Sequence, residues 1–233
     1  MWALSSIFDT IFPIQCVLCQ DYGAYLCRSC KKTLEVHPPL CPICYHPSPH
    51  YQTCSKCMRQ NPLKWCIIGF WYWWAIKKII HLLKYKHIST ASLFLAHQLA
   101  WHLRSHPLIS TKGTPVLLCP IPTHRRKVLL KRGYDHIKLL TKQISIDCTI
   151  PEQFLLTKSR FTRSQVGLCR QQRYHNLSWS FQITSWISLI WNETILLVDD
   201  LFTSWATLVT AANTLLARRP TLQIWGLVVS RHI

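Results

Sequence analysis

The stretch TILLVDDLFTSWAT, residues 194–207, decides the fold class of this chain. An apolar run ends in two adjacent acids, and a short Thr/Ser segment then leads into a helical pattern. This order predicts a buried strand over 194–200 and a helix over 206–219. Asp199 and Asp200 therefore stand at the carboxyl end of a strand, where α/β sheets bind ligands. Two carboxylates there suit the 2′ and 3′ hydroxyls of a ribose. The alternative is a capped helix that follows two exposed acids and binds nothing.

The residues after the acids are suited to a phosphate group. Hydroxyl groups and successive backbone N–H groups converge there, and the N-terminus of the following helix adds a partial positive charge. The candidate phosphate-binding residues are Thr203, Ser204, Trp205, Ala206 and Thr207.

The same alternation of strands and helices continues on both sides of this stretch. Strands are predicted over 115–122, where the strand passes into a loop, and over 222–230; helices are predicted over 75–86, 91–104 and 134–145. We therefore predict an α/β domain with a mostly parallel sheet. Residues 61–74 show no clear period and are interpreted as a transition. The predicted division is a helix over 1–13, a small module over 14–60 and the α/β domain over 61–233.

The module at 14–60 is organised by cysteine pairs of the Cys-x-x-Cys type. Eight thiolates suit two tetrahedral zinc ions, and four pairs in succession argue against a redox motif. Which pairs share a metal stays open, as does whether the module is structural or contacts DNA. The predicted zinc ligands are Cys16, Cys19, Cys27, Cys30, Cys41, Cys44, Cys54 and Cys57, while the isolated Cys66, Cys119, Cys148 and Cys169 are expected to be small buried residues.

The chain is strongly basic, with 27 Lys and Arg residues against 9 Asp and Glu and a formal net charge of +18. Such a field attracts polyanions such as nucleic acid, an anionic membrane surface or a phosphorylated metabolite. A basic lineage of proteins without such a partner is the alternative. No apolar window reaches the length of about 18 residues that a membrane span needs. The expected location is the cytoplasm, with attachment to the inner face of the membrane left open.

Taken together and in this order, the motifs resemble the ComF family, a double zinc ribbon joined to a domain of the type I phosphoribosyltransferase kind. The match spans nearly the entire chain. Besides the cysteine pairs and the 194–207 stretch, it is carried by Leu83-Lys84-Tyr85, Pro120-Ile121-Pro122, Lys131-Arg132-Gly133-Tyr134-Asp135, Arg163, Gln165, Arg173, Asn176-Leu177 and Val228-Val229-Ser230-Arg231.

The resemblance implies a site for phosphoribosyl diphosphate (PRPP), bound together with magnesium. Asp199 and Asp200 would hold the ribose, and residues 203–207 would hold the 5′-phosphate. Arg132, with Lys131, is the candidate for the diphosphate side. In an active member diphosphate leaves the ribose C1 and a nucleophile adds, so that catalysis is mostly positioning and charge stabilisation. The sequence does not identify the nucleophile.

The chain departs from the family pattern at two places. Asp135 replaces the usual Asn, and Trp205 replaces a Gly whose role is to let the backbone approach the phosphate. The chain has 11 Trp and 6 Gly, and ordinary usage would give roughly 16 Gly. Trp179, Trp191 and one of Trp73 or Trp74 also stand where the family has Gly. We therefore hypothesise that these tryptophans are UGA codons read as glycine in the natural host. A genuine, Trp-rich family member is the alternative.

Three functions follow from this interpretation. The first is PRPP or nucleotide-phosphate binding and single-stranded DNA binding during DNA uptake, with a competence helicase or uptake machinery as partner. The second is an active phosphoribosyltransferase of nucleotide metabolism, an activity impaired if Trp205 is genuine. The third is a non-catalytic zinc-ribbon adaptor that binds a helicase or membrane partner.

Overall fold

The computed structural model describes residues 15–24, 26–59, 61–85, 89–110, 115–123, 134–158, 181–184, 194–202 and 206–232. Several predicted features lie outside these residues. They are the helix over 1–13, Lys131 and Arg132, Cys169, Trp179, Trp191, and the first part of the phosphate-binding stretch, Thr203, Ser204 and Trp205.

Six strands and seven α-helices lie within the described residues. The strands are β1 (Leu63–Trp71), β2 (Val116–Pro120), β3 (Leu156–Lys158), β4 (Phe181–Ile183), β5 (Thr194–Phe202) and β6 (Gln223–Arg231). The helices are α1 (Arg28–Lys32), α2 (Ser55–Met58), α3 (Trp74–Tyr85), α4 (Ser89–Arg104), α5 (Pro107–Ser110), α6 (His136–Cys148) and α7 (Ala206–Arg218), with a short 3-10 turn at Pro49–Tyr51.

The main sheet has four parallel strands in the order β1-β6-β5-β2. A strand buried on both faces is apolar along its whole length, and β5 and β6 accordingly carry the runs Ile195–Val198 and Leu227–Val229, which are fully buried. The predicted α/β architecture with a parallel sheet, preceded by a cysteine-rich module, is confirmed. The short strands β3 and β4 form a separate antiparallel pair that the sequence pattern did not predict.

Helix α3 carries the apolar face that its sequence predicts. Ile76, Ile79, Ile80 and Leu83 are each no more than 2% exposed, whereas Lys77 and Lys78 lie on the outer side. The spacing i, i+3, i+4 and i+7 places these four side chains on one stripe that packs into the hydrophobic core.

The interpretation of residues 61–74 as a transition was wrong, because nine of them form β1, the edge strand of the sheet. β1 pairs along its length with β6, and Cys66, Ile67, Ile68 and Phe70 are buried. The segment lacks alternation since both of its faces are covered. A fully buried strand of this kind cannot be distinguished by periodicity from an irregular apolar segment.

The cysteine-rich module covers the outer edge of β1. The backbone N–H of Trp71 donates to the Glu35 carbonyl (3.0 Å), and the N–H of His37 donates to the Gly69 carbonyl (3.0 Å). Further along the strand, the N–H of Thr53 donates to the Lys64 carbonyl (2.9 Å). The module therefore satisfies backbone groups that an edge strand would otherwise leave unpaired.

Candidate functional site

The eight paired cysteines form two clusters, and the structure decides which pairs belong together. Cys16, Cys19, Cys27 and Cys30 form the first centre; Cys41, Cys44, Cys54 and Cys57 form the second. Within each centre the four sulfurs lie within 4.8 Å of one another.

The spacing of the sulfurs fits a tetrahedral metal. Four thiolates about 2.3 Å from one zinc lie about 3.8 Å from each other. The Cys19 and Cys27 sulfurs are 3.6 Å apart, and the Cys44 and Cys54 sulfurs are 3.7 Å apart. The donor set and its geometry therefore suit two structural zinc ions, one in each centre, each held by two consecutive pairs.

One cysteine in each centre is already disposed to be a thiolate. The backbone N–H of Cys27 points at the Cys16 sulfur (3.5 Å), and that of Cys54 points at the Cys41 sulfur (3.4 Å). Although burial acts to raise them, such donors lower the pKa of Cys16 to about 6 and the pKa of Cys41 to about 7. Both centres are thereby prepared for a cation.

The second site lies at the carboxyl edge of the main sheet, where β5 ends. Asp200 is buried, and its Oδ2 lies 2.5 Å from the Lys84 Nζ and 3.0 Å from the His136 Nε2. Lys84 comes from the end of α3 and His136 from the first turn of α6. Three elements distant in sequence thus converge on one carboxylate.

Asp199 has a different environment from Asp200. It is partly exposed, and among the described residues its carboxylate accepts one hydrogen bond, from the backbone N–H of Asp200 (2.9 Å). Burial and the neighbouring charge of Asp200 raise the pKa of Asp199 to about 7. Although burial acts in the same sense on Asp200, Lys84 and His136 hold the pKa of Asp200 well below its usual range. The two adjacent acids therefore have different roles.

Of the predicted phosphate-binding residues, the structure describes Ala206 and Thr207. They form the first turn of α7, so a helix N-terminus follows the two acids as predicted. The predicted diphosphate residue, Arg132, lies outside the described part of the chain. His136 was missed from sequence, although its place in the first turn of a helix that begins near the sheet edge could have indicated it.

Asp135 serves as the N-cap of α6. Its Oδ1 accepts hydrogen bonds from the backbone N–H groups of Ile137 (3.1 Å) and Lys138 (3.4 Å). Asn and Asp are about equally good at this position. The departure from the family's Asn therefore leaves the start of α6, and with it the position of His136, unchanged.

A cavity of about 810 Å³ lies beyond the end of β2, and its described lining includes neither Asp199 nor Asp200. Its position is set by the backbone N–H of Ile121, which donates to the Val198 carbonyl (2.9 Å) next to Asp199. The wall combines apolar side chains with two ammonium groups and one carboxylate. The lining residues are Pro120, Ile121, Pro122, Thr123, Asp135, Lys138, Phe154, Leu156, Thr157 and Lys158.

Comparison with known proteins gives two sequence matches. A family model described as the double zinc ribbon domain matches residues 7–58. Competence protein F of Haemophilus influenzae (strain ATCC 51907 / DSM 11121 / KW20 / Rd) is 27% identical over 208 residues, which cover 87% of this chain and 89% of that protein. The resemblance to the ComF family is confirmed. The first match covers both cysteine centres of this chain, and the second extends over most of its α/β domain.

Solved phosphoribosyltransferases superpose on this chain in part. The L. donovani hypoxanthine-guanine enzyme is 17% identical and covers 61% of this chain and 67% of its own, with a TM-score of 0.34. The adenine phosphoribosyltransferase of Leishmania tarentolae is 10% identical, and the match covers 67% of this chain and 75% of that enzyme, with a TM-score of 0.36. The adenine phosphoribosyltransferase of Leishmania donovani is 10% identical, and the match covers 85% of this chain and 77% of that enzyme, with a TM-score of 0.29.

No helix among the described residues is both long enough and apolar enough to pass through a membrane.

Proposed function

We propose that this ComF-family chain binds PRPP, or a similar phosphoribosyl ligand, at the carboxyl edge of its sheet and handles single-stranded DNA during DNA uptake. The observation that carries the proposal is the unequal environment of the two acids at the end of β5. Asp200 is held by Lys84 and His136, whereas Asp199 is partly exposed beside the N-terminus of α7.

This arrangement suits a sugar phosphate. A carboxylate at the carboxyl edge of a parallel sheet can accept hydrogen bonds from ribose hydroxyls, and the following helix N-terminus attracts a phosphate. Asp199 is the residue proposed to contact the ribose. Asp200 acts as a positioning residue, because its Oδ2 contacts both Lys84 and His136 and holds these two side chains at the sheet edge.

Magnesium is part of the proposal because the chain resembles type I phosphoribosyltransferases, in which magnesium binds together with PRPP. In this chain Asp199 is the described carboxylate placed to face such a complex. Whether diphosphate is then displaced by a nucleophile distinguishes an active phosphoribosyltransferase from a ligand-binding protein. Release of diphosphate from PRPP in the presence of nucleobases would favour the enzymatic alternative over the role in DNA uptake.

Replacing Trp205 by Gly is expected to tighten PRPP binding by at least about tenfold, or to create it. An indole at this position competes with the 5′-phosphate for space, whereas Gly frees the backbone to approach the anion. Isothermal titration calorimetry with PRPP and magnesium measures the effect. Trp74→Gly is the matched control, because Trp74 lies 66% exposed at the start of α3 and should leave PRPP affinity unchanged.

Equal PRPP affinity of the Trp205 protein and its Trp205→Gly variant would refute the steric argument. Absence of binding in both proteins at millimolar ligand would refute the phosphoribosyl proposal itself. The codon at position 205 adds an independent result. A UGA codon in a lineage that decodes it as glycine would make the glycine form the natural protein.

The cavity beyond the end of β2 supports the DNA part of the proposal. Phe154 is 46% exposed, and the Lys138 ammonium lies 4.8 Å from its ring centroid. The Lys158 ammonium lies 5.4 Å from the Phe181 ring centroid. Sequence-independent binding of single strands combines aromatic faces, on which bases stack, with cations along the backbone. The net charge of +18 provides the long-range attraction.

Alanine variants of the cavity residues test this location. Phe154→Ala should weaken the binding of an oligothymidine by about tenfold, because stacking contributes about 1–3 kcal/mol per base. The same variant should bind an abasic oligomer as tightly as the wild-type protein does. Lys138→Ala should reduce the slope of log K against log salt by about 0.7, the value for one single-strand phosphate contact. Fluorescence anisotropy at several salt concentrations gives both quantities.

Lys142→Ala is the matched control, since Lys142 is exposed on α6 one turn beyond Lys138 and does not line the cavity. It should leave the salt slope unchanged. If Lys142→Ala reduced the slope as much as Lys138→Ala, DNA would contact the basic surface in general and not this cavity. A wild-type chain without affinity at low salt would refute DNA binding and favour the zinc-ribbon adaptor.

A further inference from the structure

A buried arginine stands at the end of β6. Arg231 is only 3% exposed, and its Nε and Nη1 atoms are buried without a hydrogen-bond partner among the described residues. No carboxylate within that part of the chain forms an ion pair with it. A guanidinium in the interior is costly unless an anion compensates its charge. The buried guanidinium of Arg231 therefore needs a negatively charged neighbour, and the described carboxylates do not provide one.

The contacts of Arg231 lead to the second metal centre. Its Cζ lies 3.9 Å from the centroid of the Tyr45 ring and 5.0 Å from that of Phe202. Tyr45 directly follows Cys44, and its backbone N–H donates to the Cys41 carbonyl (3.1 Å) within the turn that carries both cysteines. Arg231 is thus stacked on the metal-binding turn. Stacking on a ring compensates only part of the cost of burying a cation.

The second centre itself provides the missing charge when it holds zinc. Four thiolates and one Zn²⁺ carry a net charge of 2−, and groups that face a metal's ligands from outside tune how tightly the metal is held. Burial lowers the pKa of Arg231, and Tyr45, Cys66 and Cys41 act in the opposite direction, which places the Cys41 sulfur within electrostatic range.

We propose that Arg231 is the buried counter-ion of the second zinc centre, and that it ties the metal to the carboxyl end of β6. This contact also connects the second centre to the carboxyl edge of the main sheet, where PRPP is proposed to bind. Arg231 pairs in the sheet with Phe202, which lies two residues after Asp200. The inference is independent of PRPP and DNA binding. It distinguishes the two centres, since the basic residues of α1 beside the first centre, Arg28, Lys31 and Lys32, are exposed to solvent.

The test measures zinc release from the full chain loaded with two zinc ions, using a chromogenic chelator in excess. Arg231→Met should accelerate release from the second centre by about tenfold or more, the effect typical of losing a group that supports the metal's ligands, and leave the first centre unchanged. Arg231→Lys should restore part of the retention, because it keeps the charge without the planar fork. Cys16→Ser and Cys41→Ser identify which kinetic phase belongs to which centre.

Arg218→Met is the matched control, because Arg218 is exposed at the end of α7. It should release both zinc ions at the wild-type rate. If Arg231→Met does not fold, Tyr45→Leu removes the stacking partner instead and should likewise accelerate only the second phase. Unchanged rates in the Arg231 and Tyr45 variants would overturn the proposal. Equal acceleration of both phases would also overturn it, because a general loss of stability would then explain the result.

Discussion

Replacing Cys41 by Ser is expected to lower the thermal midpoint of the entire chain by more than about 10 °C, whereas replacing Cys16 by Ser should lower it less. The free energy of binding a structural zinc is folding free energy, about 10–16 kcal/mol in small zinc domains. The centres differ in what they support. Segments flanking the second centre hydrogen-bond to both ends of β1, through His37 and Thr53, so its loss exposes the edge of the main sheet.

Calorimetry and zinc content test this prediction together. Wild-type protein should carry about two zinc ions per chain and each variant about one, because each centre supplies four ligands. Hydrogen exchange in β1 should increase far more in Cys41→Ser than in Cys16→Ser. The control is Cys148→Ser, since Cys148 lies outside both centres and should change the midpoint little. Equal losses of stability in the two zinc variants would show that the module does not support β1 in the way described.

Asp199→Asn and Asp200→Asn are expected to change stability in opposite directions. Because the pKa of Asp199 is raised to about 7, the folded state holds this proton more tightly than the unfolded state. Stability therefore falls as the pH rises from about 4 to about 7, and the charged carboxylate destabilises the fold above that. At pH 8 Asp199→Asn should raise the free energy of unfolding by about 2 kcal/mol, and this gain should shrink as the pH falls towards 4.

The contribution of Asp200 to stability depends on pH in the opposite direction. Its pKa is depressed by Lys84 and His136, so its contribution to stability is present above the unfolded pKa and is lost as the pH falls below it. Asp200→Asn leaves the Lys84 ammonium and the His136 ring without their shared anion and should cost about 3 kcal/mol. Urea unfolding at pH 8 and pH 5 measures both variants.

The pair of variants also separates ligand binding from folding. Asp199→Asn should lose PRPP affinity while gaining stability, the pattern of a residue kept for its function. Asp200→Asn should lose both. If Asp199→Asn were destabilising at pH 8, its carboxylate would be part of the structural network, and the roles assigned to the two acids would have to be exchanged.

The apolar face of α3, the strand β5 and the cysteine pairs could be predicted because each depends on residues close together in the sequence. The face of α3 follows from the spacing of Ile76, Ile79, Ile80 and Leu83, and the strand character of β5 follows from a continuous apolar run. The eight candidate metal ligands were identified from Cys-x-x-Cys spacing alone, and the structure brings them together in two groups of four. Each of these signals lies within a few residues and reflects one element's own burial or one turn's own geometry.

β1 was missed for a related reason. A strand whose two faces are both covered, and whose edge pairs with the cysteine-rich module, has no polar face, so its sequence carries no alternation. The pairing of the cysteines was likewise undetermined, because any two Cys-x-x-Cys pairs can complete a tetrahedral site until the chain path brings specific pairs together.

The sequence by itself thus determined the parallel α/β domain, the four Cys-x-x-Cys pairs and the presence of two acids at the end of a strand. Only the tertiary structure decided that Asp200 is held by Lys84 and His136, that Asp199 is left partly exposed, and that Arg231 stacks on Tyr45. The physical reason is distance along the chain. His136 and Asp200 are 64 residues apart, and Tyr45 and Arg231 belong to different modules. Such contacts are set by strand order and by the docking of one module on another, which leave no periodic signal in the sequence.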